Sequence, residues 1–501
     1  MRPKQSRGAG SGLDDPWLLA ALSTLAAIGL AGAARLLSWY WPGRVFAGVT
    51  SHTWTALAWD LAHGEFYRPV LGPHGYGGTR YMPILFGAHA LLIRAGVDPI
   101  HAGVALMQGS VIAAVGALYF ALRAHDVPAR LAAPLALTVF ATVIYQQYCT
   151  DLDPDYLAAA FAMSSVLLAL RSDRDGGAWW LVAAGGMIVL AALTKVTAVA
   201  YAAPITWWLA TRRSRRVPLW FALGTTALFV AAMSAVQIAS QGVFLESFRA
   251  TVSGGMGPSD IWRATPKFVR EVEIDPFVAV PFIIACWSAI ASVNRGRFVL
   301  ADAYLATASV ITLVIFASPG TVGNHLVDLH MMALLVIGVA LAHGRVSART
   351  VAAAFTCLAA LLAAISIPVP RIPSVIATLR EKALPSRATV RAVHEEFLPP
   401  GTDYLSTDPI IPVLNDERPL VLDAFNLNRF LHEGAPAGRD LEQHLRRHDY
   451  QFVILREDPR DLPDRNDLER LVYSTYAVRA VRAPFVILAP RADEPVLHRP
   501  Y

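Results

Sequence analysis

The stretch YCTDLDPDY, residues 148–156, places three carboxylates between two long apolar runs. The run before it is LAAPLALTVFATVIY (131–145), and the run after it is LAAAFAMSSVLLAL (157–170). Each run approaches the length that crosses a bilayer, about 20 mainly apolar residues. Asp151, Asp153 and Asp155 therefore lie where two neighbouring predicted membrane helices meet. Their position raises the question of why a chain this hydrophobic places three acids there.

The composition of the whole chain supports this interpretation. The chain has 501 residues, of which 55% are hydrophobic and 16% charged, and this balance is typical of a multi-span membrane protein. The net charge of +5 does not indicate a nucleic-acid partner, because the basic residues lie in short clusters between apolar runs. The lipid bilayer is the expected environment, and nucleic acid is not an expected partner.

Twelve apolar runs are candidates for membrane spans. They lie near residues 16–36, 81–96, 102–122, 131–148, 156–170, 178–194, 196–211, 217–239, 276–292, 299–317, 327–343 and 350–368. If all twelve crossed, most basic loops would lie outside, against the positive-inside rule. Keeping YMPILFGAHALLIRAG (81–96) on the outer side as a short embedded helix returns those loops to the cytoplasm. The sequence thus predicts about eleven transmembrane helices with a cytoplasmic N-terminus.

This topology divides the chain into three parts. Residues 1–15 form a cytoplasmic tail, residues 16–369 a transmembrane domain with a long outer loop at 37–101, and residues 370–501 an extracytoplasmic domain. The last part has no span-length segment. Its strand candidates are DYLST, PLVLD, QFVILRE and APFVILAP, and RDLEQHLRRH and RNDLERLVYSTY are amphipathic, which predicts a small soluble α/β domain.

The outer loop is rich in aromatic and polar residues. In SHTWTALAWDLAHGEFY (51–67), apolar residues recur at helical spacing, which predicts a helix lying on the membrane surface. A segment rich in glycine and proline follows and carries Arg68 and Arg80. Both cations are candidate contacts for a phosphate group, and solvation is the alternative for each.

The order of these features resembles the GT-C superfamily of integral-membrane glycosyltransferases, which includes protein O-mannosyltransferases and the lipid A aminoarabinose transferase. The resemblance is carried by GEFYRP and RYMPILF in the outer loop, DPDYLAAAF after the acidic turn, LTK at 193–195 and GNHLVDLH at 323–330. It implies a bacterial inner-membrane enzyme that uses a polyprenyl-phosphate sugar donor. It also implies an extracytoplasmic acceptor, which is a lipid, a glycan or a protein.

The resemblance also assigns roles to residues. Such enzymes carry an acidic pair as general base before a glycine that resembles Gly64, but the corresponding positions here are Thr50 and Ser51. Either the role passes to Asp60 or Glu65, or the chain does not catalyse. Asp155 matches the family's second acid, which positions the donor or acceptor. Lys195 matches the lysine of LTK, and His325 lies in the late motif, so both are candidate substrate contacts. Asp151 and Asp153, in the turn before Asp155, are further candidate substrate contacts.

The chemistry explains why such groups are needed. Sugar transfer from a lipid phosphate, by direct displacement with inversion, requires a base for the acceptor hydroxyl and cations for the departing phosphate. Asp151, Asp153 and Asp155 offer oxygen ligands that suit Mg²⁺ or Mn²⁺. Users of lipid monophosphates in the superfamily generally need no metal. We therefore expect that no cofactor is required, with a divalent cation as the alternative.

Structural explanations also exist for several of these residues. Asp153 or Asp155 could cap the helix that follows, and Lys195 could extend along the membrane to the outer interface. His325 and Asp328 fit a polar helix entry as well as a ligand set.

Two further function classes stay open, a flippase or transporter of lipid-linked glycans and a non-catalytic scaffold with the same fold. A transporter would place charges in the middle of its spans, whereas the charges here gather at span ends.

Overall fold

A computed structural model describes residues 15–41, 43–46, 48–252, 256–257, 259–318, 320–366, 385–456 and 466–491. Up to residue 366 the described chain is helical. Helices α1 to α16 are, in order, Pro16–Tyr40, Val49–Ala62, Pro83–Arg94, Pro99–Ala124, Ala129–Leu137, Val143–Tyr148, Asp155–Asp175, Ala178–Ala192, Ala202–Arg212, Arg216–Ala239, Val243–Thr251, Asp260–Ile274, Pro276–Asn294, Leu300–Ile315, Val327–Ala342 and Ala348–Ser366. Three 3₁₀ turns, Thr138–Ala141, Val196–Tyr201 and Gly323–Leu326, connect some of them.

Five of the described helices are long and apolar enough to cross a membrane. They are Pro16–Ser38, Pro99–Ala124, Arg216–Ala239, Pro276–Asn294 and Gly323–Ala342. The last is the central helix, with 89% of its apolar window buried, whereas the window of Arg216–Ala239 is only 17% buried. An apolar helix that leaves most of its side chains exposed requires lipid around it. The predicted helical membrane architecture is confirmed.

The apolar runs do not all form single helices. The run 131–148 is divided into α5, a 3₁₀ turn and α6, because Thr142 is extended and its hydroxyl accepts a hydrogen bond from the backbone nitrogen of Tyr145 at 3.0 Å. The side-chain amide of Gln146 donates to the carbonyl oxygens of Phe140 at 2.7 Å and Gly29 at 2.9 Å. Side chains thus satisfy backbone groups that a continuous helix would pair itself.

Helix α3, the apolar segment expected not to cross, has 12 residues. At 1.5 Å per residue it extends about 18 Å, well short of a hydrocarbon core of about 30 Å. Arg94 near its end donates to the carbonyl oxygens of Leu61 and Ala62, at 2.7 Å and 3.1 Å. Helix α3 is therefore tied to the end of α2.

Helix α2 was expected on the membrane surface, and this expectation is wrong. Every residue from Ser51 to Asp60 is buried, so the helix has no solvent or lipid face along most of its length. It packs against α3 on one side and the C-terminal domain on the other. The spacing of its apolar residues is the same for either environment, so hydropathy could not distinguish them.

In its described residues, the C-terminal domain combines five helices with one mixed sheet. Helices α17 to α21 are Arg387–Phe397, Ile410–Leu414, Ala424–His432, Pro436–Arg446 and Asp467–Thr475, and strands β1 to β4 are Tyr404–Ser406, Phe452–Arg456, Tyr476–Arg482 and Phe485–Pro490. The strand order is β1-β2-β4-β3, with β1 parallel to β2 and the other pairs antiparallel. A small α/β domain is confirmed.

Two details of this domain differ from the prediction. PLVLD (419–423) is not a strand; Val421 forms only an isolated bridge with Tyr76 of the outer loop. Strand β3 occupies the segment that follows the helix RNDLERLVYSTY, where no strand was expected. Most of its residues are exposed, so it lacks the apolar alternation that identifies a strand from sequence.

Candidate active site

Asp155 is the first residue of α7 and is fully buried. Its Oδ1 accepts hydrogen bonds from Nζ of Lys195 at 2.6 Å and from Nδ1 of His325 at 3.2 Å, and its Oδ2 accepts from the amide of Asn324 at 3.1 Å. The helix cap shows no side-chain hydrogen bond, so capping does not explain Asp155. The carboxylate instead joins three distant parts of the chain.

Lys195 lies between two carboxylates. Its Nζ is 2.6 Å from Asp155 and 3.6 Å from Oδ2 of Asp328, and its side chain is only 9% exposed. A lysine that reached the interface would be exposed at its tip, so that alternative does not describe Lys195. Asp328 lies in the first turn of α15, immediately after the 3₁₀ turn that carries Asn324 and His325.

We call Asp155, Lys195, Asn324, His325 and Asp328 the Asp155 network. His325 is its most exposed member, with a side chain 25% exposed against 1% for Asp155. Asn324 was not predicted, although it precedes His325 within the motif GNHLVDLH; an amide carries no charge and is a weak signal in a sequence. The network is thus a buried ion cluster that reaches the surface through a histidine.

The acidic turn before α7 contacts the start of α2. The backbone nitrogen of Leu152 donates to Oγ of Ser51 at 2.9 Å, and the backbone nitrogen of Gly48 donates to Oδ1 of Asp151 at 3.2 Å. A side chain added at Gly48 would place Cβ 3.2 Å from the Asp151 carboxylate, so the approach is close. Ser51, one of the two positions where the resemblance places an acid, therefore lies directly against the acidic turn.

Asp153 is buried, and in the sequence it lies between Asp151 and Asp155. Burial, together with the charges of Asp155 and Asp151, raises the pKa of its carboxyl well above the ordinary value. Tyr81 lies within electrostatic range of both Asp153 and Arg80 and stacks on the indole of Trp54, with ring centroids 4.3 Å apart. The surroundings of Asp153 therefore disfavour the charged form of its carboxyl.

The three aspartates do not fit a metal ion. Within the described residues, no group of three or more histidine, cysteine, aspartate or glutamate side chains has an arrangement that could hold one. Oδ1 of Asp155 already accepts hydrogen bonds from Lys195 and His325, and the positive charge of Lys195 beside it opposes a second cation there. Because these residues do not fit the group, no catalytic step is assigned to a metal at Asp151, Asp153 and Asp155.

Asp60 and Glu65 belong to a separate ion network in the outer loop. Oδ1 of Asp60 accepts from Arg68 at 2.5 Å, and Oε2 of Glu65 is 3.6 Å from Nε of Arg68 and 3.3 Å from Arg418 of the C-terminal domain. Burial raises the pKa of Asp60 to about 6, against the opposing charge of Arg68. In the described chain, no hydrogen bond or ion pair connects this network with the Asp155 network.

Arg68 has little capacity left for a ligand. Besides Asp60, its Nη1 donates to the carbonyl oxygens of Pro419 at 2.5 Å and His74 at 3.1 Å, and the residue is 2% exposed. Arg80 is half-buried and donates to the carbonyl oxygen of Thr251 at 3.4 Å, with Asp423 as an electrostatic neighbour. Of the two predicted cations, Arg80 is the one placed to meet a further anion.

A third ion cluster joins α2 to the C-terminal domain. Nδ1 of His52 is 2.7 Å from Oδ1 of Asp408, and Nη1 of Arg456 donates to Oδ2 of Asp408 at 3.1 Å. Burial alone would raise the pKa of Asp408, but His52 and Arg456 hold it at about 2. Because His52 follows Ser51, the same end of α2 contacts both the acidic turn and the C-terminal domain. The acidic turn and the C-terminal domain therefore lie at the same end of the helical bundle.

A helical membrane bundle with an acidic turn beneath a small mixed domain defines a polytopic membrane protein. No family model and no curated protein sequence matches the chain. Solved structures that share this fold include two of one protein. ArnT from Cupriavidus metallidurans bound to undecaprenyl phosphate has a TM-score of 0.55 at 15% identity, over 94% of this chain and 98% of that chain. ArnT in the apo state has a TM-score of 0.53 at 13% identity, over 93% and 97%. The resemblance to the GT-C fold is confirmed.

Proposed function

We propose that this protein is a membrane glycosyltransferase that moves a sugar from a polyprenyl-phosphate donor to an extracytoplasmic acceptor. The observation that carries the proposal is the Asp155 network at the end of the bundle nearest the C-terminal domain, in a fold shared with a protein that binds undecaprenyl phosphate. Buried charges of this kind are expensive in a membrane protein and mark functional sites.

In the orientation that we propose, the N-terminus is cytoplasmic and the C-terminal domain extracytoplasmic, with the basic loops inside. The contacts of Ser51 with Leu152 and of His52 with Asp408 support a shared side for the acidic turn and the C-terminal domain. The acceptor then approaches between that domain and the membrane.

We assign the general base to Asp153 rather than to Asp60 or Glu65. Asp60 is paired with Arg68, and Glu65 is held between two arginines. Asp153 lies in the turn that contacts Ser51, next to the position where the resemblance expects an acid. Its raised pKa makes its carboxylate a stronger base than an ordinary aspartate.

The reaction then follows from the groups present. Asp153 takes the proton of the acceptor hydroxyl, whose oxygen forms a bond to the anomeric carbon while the bond from that carbon to the phosphate oxygen breaks. The polyprenyl phosphate departs, and the configuration at the anomeric carbon inverts.

The departing phosphate needs a cation, and the two candidates are differently placed. Lys195 is neutralised by Asp155 and Asp328, so it positions the network and leaves phosphate binding to other groups. Arg80 shows one hydrogen bond from its guanidinium among the described residues, which leaves donors for a phosphate oxygen. His325, the exposed member of the network, supplies a further donor.

The test is transfer from undecaprenyl-phosphate-linked sugars to an envelope extract by the full chain in proteoliposomes. Asp153→Asn is expected to reduce transfer by about 10²–10⁴-fold, the usual contribution of a general base. Asp175→Asn is the matched control, because Asp175 ends the helix that follows the acidic turn and is exposed. Undiminished transfer by Asp153→Asn would exclude the assigned base. Movement of intact lipid-linked sugar across the bilayer without transfer would instead establish a transporter. If the protein shows neither transfer nor transport, the scaffold is the remaining function class.

A further inference from the structure

A cavity of about 570 Å³ lies between the outer loop and the C-terminal domain. One wall is the segment 71–76 of the loop, and the others come from residues 401–406, 412–420 and 440–451. None of the residues proposed for catalysis lines it. Its volume falls within the range of about 300–1,000 Å³ that is typical of ligand sites.

The loop wall is held rigidly on the domain. Gly72 and Gly75 exchange backbone hydrogen bonds of 3.1 Å, and Tyr76 forms backbone hydrogen bonds with Leu420 at 2.8 Å and Leu422 at 3.0 Å. Gly75 has φ +98°, and a Cβ there would lie 2.3 Å from the carbonyl oxygen of Leu420. Only glycine permits this approach. The cavity is thus formed before any ligand arrives, which reduces the entropy cost of binding.

Carboxylates and tyrosines dominate the charged and aromatic lining. The acids are Asp403, Glu417, Asp440 and Asp449, and the tyrosines are Tyr76, Tyr404 and Tyr450. Arg418, His444 and His448 are the basic residues of the lining, and Arg418 is already paired with Glu65 of the outer loop. The excess of carboxylates opposes an anionic ligand.

Hydrogen bonds between lining residues fix these groups in place. The hydroxyl of Tyr404 donates to Glu417 at 2.6 Å, and the hydroxyl of Tyr76 donates to Asp440 at 2.9 Å. His444 lies between Asp449, 2.6 Å from its Nδ1, and Asp440, 3.4 Å from its Nε2. An ionised carboxylate can accept several hydrogen bonds, so the carboxylates of Glu417 and Asp440 can accept further hydrogen bonds beside these contacts.

We propose that this cavity binds a neutral or amino-bearing sugar unit of the acceptor. Fixed carboxylates accept hydrogen bonds from sugar hydroxyls or an amino group, and tyrosine rings offer apolar faces to the C–H faces of a pyranose or furanose. This inference rests on the proposed function, because it names a glycan as the acceptor class. It also assigns recognition to the C-terminal domain, separate from the chemistry at the acidic turn.

The experiment is binding of the full chain in detergent to a printed array of neutral, amino-bearing and anionic glycans, without donor lipid. Gln451→Trp places a large ring at an exposed position of the lining. Gln443→Trp is the matched control, since Gln443 is also exposed, lies on α20 and does not line the cavity. We expect wild type and Gln443→Trp to bind neutral or amino glycans, and Gln451→Trp to lose at least tenfold in affinity.

A second variant, Asp440→Asn, keeps the cavity volume and removes one charge. It is expected to weaken binding while the melting temperature and the elution volume of the protein stay unchanged, which separates loss of a contact from misfolding. Binding to no glycan, binding to anionic glycans alone, or equal binding by Gln451→Trp and Gln443→Trp would overturn the inference.

The array also separates this inference from the proposed function. Asp153→Asn should retain glycan binding while losing transfer. A wild-type protein that binds neutral glycans but transfers no sugar from any undecaprenyl-phosphate donor would keep the cavity assignment and remove the transferase assignment.

Discussion

Lys195 holds two buried carboxylates together, so its removal should destabilise the membrane domain more than removal of either acid. At an effective dielectric constant of about 20, its attraction is about 6 kcal/mol to Asp155 at 2.6 Å and about 5 kcal/mol to Asp328 at 3.6 Å. Desolvation of the three charges offsets most of this gross attraction. Lys195→Met leaves two buried acids without their cation, and we expect a loss of about 3–5 kcal/mol in the free energy of unfolding.

Asp155→Asn should cost less, because Lys195 keeps Asp328 as a counter-ion. Loss of one charge-assisted hydrogen bond is expected to cost about 1.5–3 kcal/mol. The double variant Lys195→Met/Asp155→Asn removes one of the two stranded acids. It should therefore be more stable than Lys195→Met alone, with a coupling energy of about 1–3 kcal/mol.

The measurement is unfolding in mixed micelles of dodecyl maltoside with increasing SDS, followed by tryptophan fluorescence. Asp175→Asn serves as the control and should change stability by less than about 0.5 kcal/mol, as surface substitutions usually do. If Asp155→Asn proves as costly as Lys195→Met, or if the double variant is the least stable of the three, the reasoning from a shared lysine is refuted.

Three further predictions concern other parts of the molecule. The carboxyl of Asp408 has a pKa of about 2 when folded and 3.8 as its ordinary value, so its contribution to stability is present above pH 3.8 and lost as the pH falls towards 2. The melting temperature should decline over that window in wild type and less in Asp408→Asn. Gly29→Ala would place a Cβ 2.6 Å from a backbone nitrogen of the turn Thr138–Ala141 and should cost about 1–3 kcal/mol. Gly116→Ala, where a Cβ meets nothing within 4 Å, should be neutral or stabilising in the same SDS titration. Transfer should increase with pH through the raised pKa of Asp153, and a flat profile of rate against pH would argue against Asp153 as the base.

Local sequence patterns were sufficient to predict most of the architecture. Runs of apolar residues identified the membrane helices, because a bilayer demands about 20 such residues in each span. Three of the four strand predictions in the C-terminal domain correspond to strands β1, β2 and β4. The acids of the turn at 151–155 and the lysine at 195 were recognisable because charges at the ends of apolar runs are rare. These features depend only on residues close in sequence.

Such patterns could not predict contacts between residues that are far apart in the sequence. PLVLD has strand-like composition, but its backbone pairs only once, with Tyr76 of the outer loop. Helix α2 is periodic in the manner of a surface helix and is nevertheless buried under the C-terminal domain. Asp60 and Glu65 have carboxylates that suit a general base, but Asp60 forms an ion pair with Arg68 and Glu65 forms one with Arg418.

The same limit applies to the site itself. The acids of the turn were visible in the chain, but their partners Lys195, Asn324 and His325 lie 40, 169 and 170 residues from Asp155. Whether a carboxylate is free, paired with a lysine or crowded by other carboxylates depends on where separate helices end in space. Tertiary packing decides that, and with it the direction in which the pKa of each acid is shifted, because charge interactions in a buried site depend on distance and burial rather than on residue order.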